Sequence, residues 1–326
     1  MLPWFQDRFP LYLAPMAGVT DKIFRMLCKE QGADVMVTEF VSAEGIFRKN
    51  ARTVEYLDFT PAERPLGVQL FGADPEHLGE AARMVRDWVG PDFLDLNFGC
   101  PVNKVVSRNG GSALLKDLPL LERVARSVVQ AAAPCPVTAK IRIGWSRDAV
   151  NALETARILE DAGIQALAVH GRTKDQAYGG EADWDVIGQV AQSVRIPVIG
   201  NGDIHSAQEA ARRRRETAVA GLMIGRGAMS APWIFHEIKH YLATGELLPP
   251  PPLEAQWVFI RLHCVLAIEA RGAERPALHS LRARLMAYTH GMPRAKTLRN
   301  QFAKVESLAQ LDDIIAESLA GAENQE

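Results

Sequence analysis

Short runs of β-branched and apolar residues recur along the first two-thirds of the chain, with helical patterns between them. The runs read LYLAPM, DVMVTEF, PLGVQLF, FLDLNF, PVTAKIRI, ALAVHG, PVIGNG and GLMIGR. Between them the hydrophobic period changes from that of a strand to that of a helix. After the third run Asp74 stands as an N-cap with Pro75 in the first turn, and Leu78, Ala81, Ala82, Val85 and Trp88 recur on one face. Ser206 and Glu209 have the spacing of a capping box after the seventh run, and Gly163 closes a helix predicted over roughly 149–162. Strands alternating with helices imply parallel pairing through crossovers, so eight units over about 230 residues predict a closed (β/α)8 TIM barrel. A doubly wound open sheet is the alternative. It is disfavoured because no GxGxxG follows the first strand, where a dinucleotide fold carries it.

The pattern changes after Tyr241. ATGELLPPPPLEA contains a proline tract that continues neither helix nor sheet and reads as a stiff linker. Beyond it WVFIRLHCVLAIEA and LHSLRARLMAYTH are amphipathic, and no strand-like alternation returns. The prediction is therefore an α/β barrel over 1–243, a Pro-rich linker over 244–252 and a small all-helical C-terminal domain over 253–326.

Composition narrows the class of molecule. The chain has 326 residues, 48% hydrophobic and 23% charged, which suits a water-soluble globular protein able to bury a full core. MLPWFQDRFPLYLAPMAG lacks a basic n-region and is broken by Asp7, Arg8 and Pro10, so neither a signal peptide nor a spanning helix is expected. The expected location is the cytoplasm. Cys28, Cys100, Cys135 and Cys264 show no paired or CxxC spacing, which argues against a disulfide framework and a zinc site. The net charge of -2 gives no global sign of a polyanion partner.

In a barrel the chemistry gathers at the C-terminal strand ends, with a phosphate site often placed after the last two strands. Those ends offer Pro15, Met16 and Ala17, then Gln69, Asn97, Cys100, Lys140, Arg142 and His170, and finally Asn201, Gly202, Asp203, Gly225 and Arg226. GNGDI and IGRGA on adjacent late strands read as a phosphate cradle, with Arg226 adding positive charge, although each alone is ordinary turn chemistry. Lys140 lies in a run that should be buried, so its ammonium wants an anion: either Glu39 or Asp95 in a structural ion pair, or a ligand. Gln69 poses the same question for an amide. A flavin answers both, its phosphate over the late strands and its pyrimidine edge toward Gln69 and Lys140. His170 is either a hydrogen-bonded structural residue or a cofactor contact. Cys100, between Gly99 and Pro101 on a loop with Gly110 and Gly111 as hinges, is either a nucleophile or an acid. No histidine is near it in sequence, and an ordinary thiol is mostly protonated at neutral pH, which favours a proton donor.

LAPMAGVTD, LNFGCPVNKV, GSALL, KIRIGW, VHGRT, IPVIGNGDI and LMIGRGAMSAPWIF together resemble the flavin-dependent tRNA-dihydrouridine synthases across the whole chain. TGELLPPPPL is similar to the bacterial B-type branch in particular. The resemblance implies an FMN-bearing barrel that uses NADPH to reduce the C5=C6 bond of a uridine in the tRNA D-loop. It implies FMN contacts at Pro15, Met16, Ala17, Gln69, Lys140, His170, Asn201, Gly202, Asp203, Gly225 and Arg226, the acid at Cys100, and Asn97 close to the substrate base. The loop PVNKVVSRNGG is less basic near its tip than in B-type relatives.

An RNA partner gives the tail a meaning. From Arg261 to Lys304 the chain carries nine Lys or Arg against two Glu, a local excess of seven positive charges. A solvated helical face is the plain reading of such a run, but beside a barrel mouth it suits phosphate contact, with Lys296 and Arg299 as candidates and Arg142 reaching the substrate from the barrel. ARRRRE at 211–216 is read only as a helix C-terminus favoured by the dipole. Two rivals remain: a flavin barrel acting on a free small pyrimidine, like a dihydroorotate dehydrogenase, and a non-catalytic RNA-binding protein. The expected partners are tRNA and NADPH, with no membrane and no metal, in a monomer.

Overall fold

The structure, a computed structural model, describes residues 2–49, 51–106 and 109–323. Ser107 and Arg108 at the tip of the Cys100 loop, and the last three residues of the predicted C-terminal domain, lie outside the described residues. Nine strands are present among the described residues: β1 Leu11–Leu13, β2 Met36–Val37, β3 Val41–Ser42, β4 Leu66–Phe71, β5 Phe93–Phe98, β6 Val137–Arg142, β7 Leu167–His170, β8 Val198–Asn201 and β9 Gly221–Ile224. All pairings between them are parallel, in the order β1-β9-β8-β7-β6-β5-β4-β2, and a parallel bridge from Tyr12 to Val35 joins the two edges. The result is the predicted barrel.

The second predicted strand differs from expectation. It is split into β2 and β3, both paired to β4. The Thr38 hydroxyl accepts the backbone N–H of Gln69 at 3.1 Å, taking a donor that a ladder carbonyl would otherwise receive. Glu39 beside it is buried, and its carboxylate accepts the N–H of Gly18 at 2.7 Å. Side-chain acceptors thus take over part of the ladder between the two short strands, while the Thr38 N–H still reaches the Gly67 carbonyl at 2.9 Å.

Alternation along the strands sorts residues between two cores. Leu94, Leu96, Phe98, Val137, Ala139 and Ile141 face the helices. Tyr12, Val35, Val37, Phe93, Ala166, Ala168, Ile199 and Met223 fill the barrel, with Leu2 and Phe5 closing its N-terminal end. Gly67 makes room for this plug: a Cβ there would meet the Phe93 ring at 2.2 Å. Above Phe93 the same inward row of β5 continues as Asp95 and Asn97. Their ladder partners are Thr138 and Lys140 on β6, and Gln69 on β4. The inward positions therefore change from apolar to polar halfway up the barrel, which is why hydrophilic residues interrupt otherwise buried runs.

Helix Pro75–Val89 is capped by Asp74 and buries Leu78, Ala81, Ala82 and Val85 as predicted. Trp88 does not join them; it is 41% exposed, with the Lys49 ammonium 4.9 Å from its ring centroid. Ser206 accepts from the Glu209 N–H, while the Glu209 carboxylate turns to Arg212 and Arg213 instead of closing the box. Gly245, at φ 79°, ends helix Ile234–Thr244, and the prolines lead to helices Leu253–Arg271, Glu274–Tyr288, Ala295–Phe302 and Leu308–Glu323. Helix Glu274–Tyr288 packs on the short helix Arg226–Ser230 at the barrel mouth. From the same helix, Arg284 donates to the Val19 carbonyl at 2.9 Å and to the Asp21 carboxylate at 2.6 Å, tying the tail to the segment that follows β1. No helix among the described residues is long and apolar enough to cross a membrane.

Candidate active site

A cavity of about 480 Å³ opens at the C-terminal ends of the strands. That is within the range of about 300–1,000 Å³ for small-molecule and cofactor sites. Pro15, Met16, Ala17, Asn97, Cys100, Lys140, Arg142, His170, Asn201, Gly202, Asp203, Gly225 and Arg226 all line it. Of the barrel residues singled out by sequence, Gln69 alone does not. It is fully buried one layer behind, donating to Asp95 at 2.7 Å and accepting from Asn97 at 2.7 Å.

Cys100 sits at the end of β5 on a turn held from both sides. The Asn97 side-chain oxygen accepts the N–H groups of Gly99 and Cys100 at 3.1 and 2.8 Å. The Cys100 carbonyl accepts from the N–H and hydroxyl of Ser112 at 3.2 and 2.8 Å. Gly111, at φ 58°, packs so closely that a Cβ would meet the Cys100 carbonyl oxygen at 2.9 Å, so it anchors this turn where a hinge was expected. Burial pushes the thiol pKa up, against the Val102 N–H and the charges of Arg142 and Lys140. The thiol is protonated at neutral pH.

Lys140 forms neither of the ion pairs considered from sequence. Glu39 is engaged by Gly18, Asp95 by Gln69 and Thr138, and among the described residues the ammonium has one hydrogen bond, to the Asn201 side-chain oxygen at 3.1 Å. Among the described residues no carboxylate is within ion-pair distance of it. Burial, with Arg142 nearby, lowers its pKa to about 8. Burial and the four cations Lys140, Arg142, Arg172 and Arg226 hold His170 well below its ordinary value, so it is a neutral imidazole. Arg142 is buried and donates to the carbonyls of Gly99, Thr173 and Ala177 at 3.0, 2.8 and 2.9 Å. It supports the cysteine turn from below.

Asp203 adopts a left-handed φ of 51°, which costs about 1–2 kcal/mol in a non-glycine residue. Its carboxylate compensates by accepting two bonds from Arg172, at 2.9 and 2.8 Å, one from Arg226 at 2.9 Å and the Ala182 N–H at 2.8 Å. Arg226 remains 43% exposed at the mouth, where helix Arg226–Ser230 begins with amides that have no intrahelical partner. The walls are thus rich in cations, suited to a ligand with a phosphate.

A family model described as Dihydrouridine synthase (Dus) matches residues 12–323. The chain belongs to that family. As a dihydrouridine synthase family member it is a flavin-dependent oxidoreductase. The tRNA-dihydrouridine synthase B of Xanthomonas axonopodis pv. citri is 48% identical over 241 residues, 74% of this chain and 72% of that one. The protein of the same name from Pseudomonas syringae pv. tomato is 40% identical over 320 residues, 97% and 94% of the two chains. Among solved structures, TcOYE with pHBA is 13% identical over 74% of this chain and 91% of that one, with a TM-score of 0.54, a likeness of fold.

Two site residues of this family member escaped the sequence reading. Arg172 is buried and orders the mouth by gripping Asp203 and the carbonyls of Gly179 and Gly180. Its place two residues beyond a strand-end histidine was the available signal. Tyr178 is 60% exposed, with the guanidinium carbons of Arg226 and Arg142 at 5.1 and 5.9 Å from its ring centroid. It sits on an aperiodic loop that gives no such signal.

The tail's charge is more balanced than its sequence excess. Arg261, Arg271, Arg275 and Arg284 pair with Asp312, Glu55, Glu306 and Asp21. Lys296 and Arg299 make no ion pair among the described residues, and both face solvent on helix Ala295–Phe302.

Proposed function

We propose that this protein is a tRNA-dihydrouridine synthase that holds FMN in the cavity, draws electrons from NADPH and reduces the C5=C6 bond of a D-loop uridine. The observation that carries the reading is a cysteine on a fixed turn, facing a cavity in which Lys140 lacks a carboxylate partner among the described residues. The residues present fit FMN. A cavity of about 480 Å³, an under-satisfied ammonium and exposed guanidinium at Arg226 suit a heterocycle that carries a phosphate. Gly202, Asp203, Gly225 and Arg226 would hold the phosphate end. Pro15, Met16, Ala17, Lys140, His170 and Asn201 would hold the ring, with Gln69 acting on it from behind Asn97. When bound, FMN supplies hydride chemistry to an electron-poor pyrimidine carbon.

The chain's own residues do the rest. Cys100 donates the thiol proton to uridine C5, which together with a hydride at C6 saturates the double bond. Lys140 holds positive charge in a water-poor site where negative charge develops, an effect strengthened by low local dielectric. His170, being neutral, offers a ring hydrogen bond without adding charge. Asn97 and Arg142 face the substrate base while fixing the cysteine turn. The base must leave its stack to arrive, which costs less in a loop than in a duplex.

The direct test is to load the purified protein with FMN, record its flavin absorbance, and incubate it with NADPH and tRNA lacking dihydrouridine. Mass spectrometry should then find dihydrouridine in the D-loop. A protein that stays colourless, or a loaded one that reduces free uracil but never tRNA, overturns the proposal. For the tail, Lys296→Glu combined with Arg299→Glu should weaken tRNA binding and lower the log–log salt slope by about two, leaving flavin content unchanged. An unchanged affinity and slope would remove this helix from the interface.

A further inference from the structure

We propose that Asp95 is a positioning residue that sets the orientation of the Cys100 turn through two buried amides. Its carboxylate lies one layer below the cavity, 3% exposed, and does not line it. It accepts from the Thr138 hydroxyl at 2.6 Å on one oxygen and from the Gln69 side-chain nitrogen at 2.7 Å on the other. Gln69 then presents its oxygen to the Asn97 side-chain nitrogen at 2.7 Å, and Asn97 presents its own oxygen to the N–H groups of Gly99 and Cys100. The three strand residues are in ladder register, Gln69 with Asp95 and Asp95 with Thr138, so the backbone aligns the chain of bonds.

Both ends of this chain have fixed polarity. The Gly99 and Cys100 amides can only donate, which obliges Asn97 to face them with oxygen and Gln69 with nitrogen. Gln69 must therefore turn its own nitrogen to Asp95, and a carboxylate, having acceptors only, accepts it. A reversed Asn97 would set donor against donor beside the cysteine, and a reversed Gln69 would do so at Asn97 and set oxygen against oxygen at Asp95. Buried polar groups left unpaired cost about 1–3 kcal/mol each, enough to hold the row in one direction. The catalytic consequence rests on Cys100 being the proton donor; the positioning itself does not.

Exchanging the two end groups tests this. Asn97→Asp should set its second oxygen against the Gln69 oxygen, because Asp95 keeps Gln69 from turning. The turn should then loosen. Site-resolved alkylation of Cys100 by iodoacetamide, followed by mass spectrometry in the flavin-free protein, should speed up about tenfold or more, and Tm should fall. Adding Asp95→Asn lets Gln69 reverse, accepting from the amide introduced at position 95 and donating to the carboxylate introduced at position 97. The double variant should therefore return toward wild-type alkylation and Tm. Asp95→Asn alone should alkylate within about threefold of wild type, because the Thr138 hydroxyl can turn, with the Leu94 carbonyl at 3.5 Å as its new acceptor. A double variant no slower in alkylation than Asn97→Asp, or one that fails to fold when Asp95→Asn folds, overturns the proposal. If Asn97→Asp does not fold, a soluble double variant with wild-type alkylation still supports it. None of these readouts needs turnover, so they stand apart from a failure of the reaction assigned above.

Discussion

Cys100→Ala should bind FMN and tRNA normally and slow uridine reduction by about 10²–10⁴-fold, the usual worth of a positioned general acid. The turn is held chiefly through backbone atoms: Asn97 and Ser112 bind the backbone of residue 100, and alanine keeps those bonds while losing the Val102 N–H contact to sulfur. Flavin content and oxidation of NADPH by oxygen should therefore match wild type, while oxidation of the reduced flavin by tRNA is nearly lost. The pH profile adds a second check. Burial raises the thiol pKa, so the donor form persists through neutral pH and activity should decline only above the ordinary thiol range, where the thiolate forms. Cys100→Ala should abolish that limb along with the rate. Normal dihydrouridine formation by the variant would exclude Cys100 as the acid.

Lys140→Met should separate stability from function. Among the described residues the half-buried ammonium has a single partner, an amide oxygen, so replacing it with a thioether of similar length should stabilise the flavin-free protein by about 1 kcal/mol. Its lowered pKa of about 8, against 10.5 in the unfolded chain, means that the unfolded state binds more protons between those values. Wild-type stability should accordingly rise as pH increases from about 8 to 10.5, and Lys140→Met should lack that rise. The same substitution should weaken flavin binding by about 1.5–3 kcal/mol, roughly 10-fold or more, because the ring would lose a charged hydrogen-bond donor. A variant that is less stable and still fully yellow would show that the ammonium serves the fold.

What the sequence disclosed follows from where periodicity is strong. The β5 and β6 runs were read correctly because two-residue alternation persists across six residues in each, even with Asp95, Asn97, Lys140 and Arg142 inside them. The break between β2 and β3 was not legible, since it depends on the Thr38 hydroxyl reaching a backbone donor 31 residues away. Trp88 fits the helical face by spacing, yet it lies at the helix end, 41% exposed beneath the Lys49 ammonium, while Val89 beside it packs on the core. Cys100 and Lys140, both of which line the cavity, stand out in the sequence because each is anomalous in its local setting. Gln69 was equally anomalous, but its burial behind Asn97 depends on a partner 28 residues away. Arg172 and Tyr178 are consequences of loop geometry, which carries no period.

The barrel is stoppered at its N-terminal end by Phe93, Tyr12, Leu2 and Phe5. With that end closed among the described residues, an electron donor and an RNA base, the two reactants of the proposed reaction, would both arrive through the mouth at the C-terminal strand ends. Under the proposed function each visitor would then leave before the next is admitted, with the reducing equivalents kept on board meanwhile. Initial-velocity plots for the two reactants should then run parallel rather than converge.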